Sequence, residues 1–157
     1  MTRAARTMAM IIAAAVMALF VSPSRATAEG AMRLESVFSF SETLARLQSA
    51  LEGKGFRIFA KIDHRAAAQS VGLAMPPTTV LVFGNPAGGT PLMLAAPDFA
   101  LELPLRVLVR EDASGKSYVI YNSSTTLEGR HGLPAGMAGR LAPAEGIIAG
   151  AVQTRGR

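Results

Sequence analysis

The chain predicts an α+β fold: a single mixed β-sheet of about five strands with helices packed on it, in two layers. Three observations carry this reading. Strand-like and helix-like patterns alternate from Ala31 to Ala96. Two apolar-alternating segments, Leu105–Arg110 and Ser117–Tyr121, then flank a glycine-containing turn and read as a hairpin. The remaining stretch, Ser124–Gln153, returns to helical spacing.

Between Ala31 and Phe40, Met32 and Leu34 alternate with polar residues, and Val37, Phe38 and Phe40 resume after an irregularity at Ser36. This is a half-buried strand. Ser39-x-x-Glu42 has the form of a capping box, in which hydroxyl and carboxylate satisfy orphan amides reciprocally. Leu44, Leu47 and Leu51 then share one helical face, and Gly53 and Gly55 stop the helix.

Phe56 to Ile62 is a second strand, with Phe56, Ile58, Ala60 and Ile62 inward. Asp63 caps a short helix through Ala66, Ala67 and Ala68 that ends near Gly72, and Pro76-Pro77 bars its continuation. Thr79 to Phe83 is a strand covered on both faces. With helices between them, the first three strands are expected to run parallel through right-handed crossovers. Gly84-Asn85-Pro86 turns the chain, Ala87-Gly88-Gly89 extends the loop, and Thr90-Pro91 reads as cap and first residue of a short helix closed by Pro97. Ser124–Gln153 divides into two helical pieces, with Leu127 in the first and Met137, Leu141, Ile147 and Ile148 in the second. Interior glycines weaken the second by about 1 kcal/mol each relative to alanine.

The N-terminus has a different logic. Arg3 and Arg6 precede an uninterrupted apolar run of 14 residues, Met8 to Val21, followed by Ser22-Pro23-Ser24 and the small triplet Ala26-Thr27-Ala28. That order is a signal peptide, cleaved after Ala28. The run is short of the ~20 apolar residues that cross a bilayer. Residues 1–28 are therefore expected to be removed, leaving residues 29–157 as one domain in the periplasm or secreted, with no membrane anchor. Loss of Arg3, Arg6 and Arg25 takes the formal net charge from +5 to +2, so the basic balance carries no nucleic-acid meaning.

The chain has no cysteine. It has no lipoprotein attachment residue, no C-x-x-C-H haem attachment, no iron–sulfur ligands and no thiol nucleophile.

Thr43-Leu44, Gly55-Phe56, Ile62-Asp63-His64, Phe83-Gly84-Asn85-Pro86, Gly89-Thr90-Pro91-Leu92-Met93, Leu103-Pro104-Leu105 and Tyr121-Asn122 follow one another in a fixed order. In this the chain resembles the domain of unknown function 302 family over about residues 36–151. The resemblance implies a compact α/β domain, often exported or fused to other modules, with no established reaction. The chain departs from the pattern at Ser123-Ser124-Thr125-Thr126, where a more apolar lead into the last helix is usual.

Asp63-His64 is the best polar centre: Asp63 can orient the imidazole, and His64 can act as general base or metal ligand. Equally, Asp63 is a plain helix cap and His64 a solvated residue. The Gly84–Pro91 segment offers backbone amides to an anion, yet matches neither a Walker loop nor a dinucleotide fingerprint. If the strands on either side are parallel, His64, Asn85 and Thr90 line one ligand pocket at the carboxyl end of the sheet, with Asp63 orienting His64. His64, Met75, Met93 and His131 are the imidazole and thioether donors from which a metal or non-covalent haem site could be drawn, but no ligand spacing unites them. No G-x-S-x-G elbow is present. Glu102, Glu111 and Asp112 offer carboxylates, but Glu111 and Asp112 sit at a hairpin turn, where solvation is the usual reason, and Arg130-His131-Gly132 is an anion site or the polar end of a helix.

Two functions follow. The favoured one is an exported domain that binds a small ligand or partner without catalysis. The alternative is a small periplasmic enzyme using Asp63 and His64. A homodimer is expected, because an open sheet has an edge strand to cover.

Overall fold

The computed structural model describes residues 30–153. The expected signal peptide and its cleavage site lie outside the described residues. The fold is α+β, with five strands: β1 (Ala31–Glu35), β2 (Arg57–Asp63), β3 (Thr78–Gly84), β4 (Leu105–Glu111) and β5 (Ser117–Asn122). Among the described residues four helices accompany them: α1 (Phe40–Glu52), α2 (His64–Ser70), α3 (Pro86–Ala95) and α4 (Pro143–Gln153). Short 3-10 turns fill Pro97–Glu102 and the stretch between β5 and α4.

The strand order is β1-β5-β4-β3-β2, and every neighbouring pair is antiparallel. This corrects the mixed sheet expected above. β1 and β2 do run in the same direction, but at opposite edges; β3 runs against both. A parallel crossover lays its helix on the sheet, whereas α2 buries none of its residues; it is not a crossover helix, and the chain reverses into β3.

The core forms where α1 and α4 cover one face of the sheet. Leu44, Leu47 and Leu51 of α1 meet Leu81, Phe83, Val107, Val109 and Val119 of the strands and Ile148 and Val152 of α4. The leucine spacing of α1 places its side chains as expected. Ser39 caps the helix by accepting from the Glu42 amide at 3.3 Å. Glu42 turns forward to Arg46 at 3.0 Å, so half of the expected box is replaced by an i,i+4 ion pair. Thr43 lies buried among the leucines because its hydroxyl has a partner: Ser36 Oγ at 2.6 Å.

β2 is an edge strand with an irregularity between Ile58 and Ala60. The extra residue shifts the alternation, so Phe56 and Ile58 pack on the core while Ile62 is 45% exposed. The expected inward set therefore ends at Ile58.

Two later expectations also change. Segment 86–89 is not a loop: α3 begins at Pro86, with Asn85 as cap, and runs through Gly88, Gly89, Thr90 and Pro91. Asn85-Pro86 carries the same cap-then-proline signal as Thr90-Pro91, and asparagine is the stronger cap. Before α4 the chain makes 3-10 turns at Ser124–Leu127, Arg130–Gly132 and Ala138–Leu141. They shield a second apolar cluster of Leu92, Phe99, Leu127, Leu133 and Leu141.

Candidate functional site

The antiparallel pairing decides where the sequence candidates sit. Asp63 lies opposite Thr79, at the start of β3, whereas Arg57 lies opposite Gly84, at its end. His64 follows Asp63, and Asn85 follows Gly84. The two segments therefore leave opposite ends of one strand pair, separated by about 20 Å of strand. The expectation that His64 shares a pocket with Asn85 and Thr90 depended on parallel strands, and the register overturns it. Asp63 caps α2 by accepting from the Ala66 amide at 3.0 Å, and His64 is exposed in the first turn. Of the four soft donors, Met93 lines a groove, Met75 sits between α2 and β3, His131 pairs with Glu102, and His64 stands apart. Among the described residues no group of three or more His, Cys, Asp or Glu side chains is placed to hold a metal ion.

Asn85 and Thr90 remain together. They line a groove of about 510 Å³ at the end of the sheet where β2 begins, β3 ends and β4 begins. α3 contributes Gly88, Gly89, Thr90 and Met93; the start of β2 contributes Phe56 and Phe59; Leu103, Pro104 and Leu105 come from the approach to β4; Leu141, Pro143 and Ile147 come from the start of α4 and the turn before it. The volume suits a small organic ligand, and the lining has the apolar majority that such sites carry. The glycines shape this groove. A Cβ at Gly89 would stand 3.2 Å from Leu103 Cδ1, and one at Gly84 would stand 3.2 Å from Phe59 Cε2. Their absence lets those side chains approach the backbone. A Cβ at Gly88 would meet nothing within 4 Å, so there the missing side chain leaves space.

Two charged residues line the groove, Lys54 and Arg140, and both are cationic and exposed. The first turn of α3 lines the same space through Asn85, Pro86 and Gly88, and its Gly88 and Gly89 amides donate to the Asn85 carbonyl at 3.0 and 2.9 Å. Asn85 Oδ1 accepts from the Ala87 amide at 2.9 Å.

Beside the groove, sharing Leu105 and Leu141 with it, is a small pocket of about 40 Å³. Glu102, Arg106, Tyr121, Ser124 and Glu145 supply its polar lining, and Phe83, Leu127 and Ile148 are part of its apolar one. Glu145 Oε1 accepts from the Ser124 amide at 2.7 Å and from its hydroxyl at 2.6 Å. Burial, reinforced by the Glu145 charge, pushes the Tyr121 hydroxyl above its usual value. Glu102 Oε1 accepts from Arg130 Nη1 at 3.1 Å and lies 3.0 Å from His131 Nε2. Burial acts to raise the Glu102 carboxyl, but the hydrogen bonds and charges of His131 and Arg130 together hold it below the ordinary value. His131 has a φ of 51°, the left-handed region that side chains rarely adopt.

The sequence reading missed Lys54 and Arg140 as site residues, and it judged Glu102 and His131 separately. No local spacing pairs them: the groove is assembled from segments that meet only at one end of the sheet.

Comparison with known proteins gives two kinds of likeness. A 104-residue stretch, 66% of this chain, is 39% identical to proteins named fluoride-specific ion channel from Brucella suis and from Brucella abortus. The match spans 41% and 38% of those proteins, so well under half of their length is shared. A crystal structure of an uncharacterized conserved DUF302 protein from Bacillus stearothermophilus superposes with a TM-score of 0.68, covering 80% of this chain and 97% of that one, at 21% identity. That identity speaks for the fold alone. Residues 32–151 match the model of the domain of unknown function DUF302, and on that match the chain belongs to the DUF302 family.

Proposed function

We propose that this chain is an exported domain that binds a small organic ligand in the groove beside α3, without catalysing a reaction. One observation carries the reading: the groove of about 510 Å³ combines a mainly apolar lining with a few polar groups at Lys54, Asn85, Thr90 and Arg140. Asp63 and His64, the residues of the enzymatic alternative, lie at the other end of the strand pair from this groove. The fluoride-channel name belongs to proteins of which the matched stretch spans 41% and 38%. Native mass spectrometry of the protein isolated from its own cells tests the reading. A non-covalent organic adduct, displaced when Gly88→Phe fills the groove, supports it; an adduct that persists in the folded variant overturns it.

Export rests on the leader pattern of residues 1–28, and the homodimer on the open edges of the sheet. Intact mass in a periplasmic fraction should correspond to a chain starting at Glu29. A full-length chain confined to the cytosol rejects export, and a monomer at micromolar concentration in sedimentation rejects the dimer.

A further inference from the structure

The charges around the groove point to the class of its ligand. We infer that the site takes amphipathic organic anions: an apolar or aromatic body within the groove and a carboxylate, sulfonate or phosphate head at the Lys54–Arg140 side. The inference rests on the groove being the ligand site, and deepens that reading.

Two features agree in sign. Lys54, in the turn after α1, and Arg140, in the turn before α4, are both cations. No carboxylate among the described residues lines the groove. An anion in the groove is therefore drawn by both charged side chains of its lining. A cationic ligand would meet only like charge, and a neutral one would gain from the apolar lining alone. The remaining lining favours a flat or aliphatic body: Phe56, Phe59, Met93, Leu103 and Ile147 offer rings, a polarizable thioether and branched carbon. Lys54 and Arg140 are exposed, so they act by screened attraction, and the preference weakens as salt is added.

Two fluorescent probes separate this inference from the one beneath it. Anilinonaphthalene sulfonate and its uncharged parent, N-phenylnaphthylamine, share one aromatic body and differ in the anionic group. Titrated into the folded wild-type protein at low salt, the sulfonate should bind about tenfold more tightly than the parent. The double variant K54Q/R140Q should lose most of that preference while the parent binds as before. Gly88→Phe should remove both probes, with circular dichroism and Tm showing that the variant is folded. If both probes bind equally, or the preference survives K54Q/R140Q, the anion inference fails and the groove reading stands. If neither probe binds, or both still bind to folded Gly88→Phe, the groove reading itself fails. Should Gly88→Phe not fold, competition between the two probes on wild type, followed by cross-peaks to the Met93 methyl in NMR, makes the same decision: no contact with Met93 overturns the groove.

Discussion

Glu145, in the first turn of α4, holds Ser124 by both its backbone amide and its hydroxyl, at 2.7 and 2.6 Å. One carboxylate thus joins α4 to the turn that follows β5, in the lining of the small pocket beside the groove. The hydrogen bonds are charge-assisted and Ser124 is buried, so removing the acceptor leaves a buried amide without its partner. Glu145→Ala should therefore cost about 2 kcal/mol in urea unfolding. Ser124→Ala should cost less, and the two together should fall short of their sum, since they share one interaction. Additive losses would show that the carboxylate and the serine act independently.

Acid should weaken the protein partly through Glu102. Its carboxyl is held below its ordinary value near 4.5 by His131 and Arg130. A depressed folded value means that the unfolded chain takes up the proton first as pH falls. The stabilising contribution is whole above about pH 4.5 and disappears as pH drops through the folded value. Glu102→Gln should lower Tm at pH 7 and flatten the decline of Tm with acid below pH 5. An unchanged acid slope would assign the loss to other carboxylates.

Asp63 and His64, adjacent in sequence, should separate in experiment. Asp63→Ala removes the cap of α2 and should cost about 1 kcal/mol. His64→Ala touches an exposed side chain and should change stability by less than about 0.5 kcal/mol. Neither should alter probe binding in the groove. A binding defect in His64→Ala would reopen the shared-site expectation that the strand register removed.

The irregularity in β2 makes a further contrast. Leu47 is fully buried between α1 and the sheet, and Leu47→Ala should cost about 3 kcal/mol. Ile62 reads as an inward position in simple alternation but is 45% exposed. Ile62→Ser should cost less than about 1 kcal/mol by thermal or chemical denaturation. A loss comparable to that of Leu47 would mean that the outer half of β2 is covered in solution, as a dimer would cover it.

Much of the fold is legible because it depends on local pattern. The leucines of α1, the cap at Asp63 and the hairpin at Asp112–Lys116 follow from spacing and turn chemistry. Within that hairpin Asp112 accepts from the Ser114 hydroxyl at 2.7 Å and from the Lys116 amide at 3.1 Å, and the Ser114 contact leads in bringing its carboxyl down to about 2. Strand direction was not legible, because helix-separated strands admit either sense, and α2, which buries no residue, does not lie across the sheet as a crossover helix would. The start of α3 was not legible, because Asn85-Pro86 and Thr90-Pro91 carry the same signal and the glycines between them suggest a loop. Of the site, Asn85 and Thr90 could be found from the helix end they occupy. Lys54 and Arg140 could not, since their shared groove exists only after α1, α4 and the turns between have packed.

The strand order has a consequence for the time course of assembly. β2 to β5 follow one another as sheet neighbours, so each can add to the last as it emerges from the ribosome. β1 pairs with β5, setting Met32 opposite Tyr121. That contact closes a loop of about ninety residues, roughly 2 kcal/mol more expensive in chain entropy than closing a hairpin of a few residues. β1 must therefore wait for β5, and the β1 side of β5 stays open until it docks. Of all the pairings in the sheet, this one should limit the rate of folding and be the first to open.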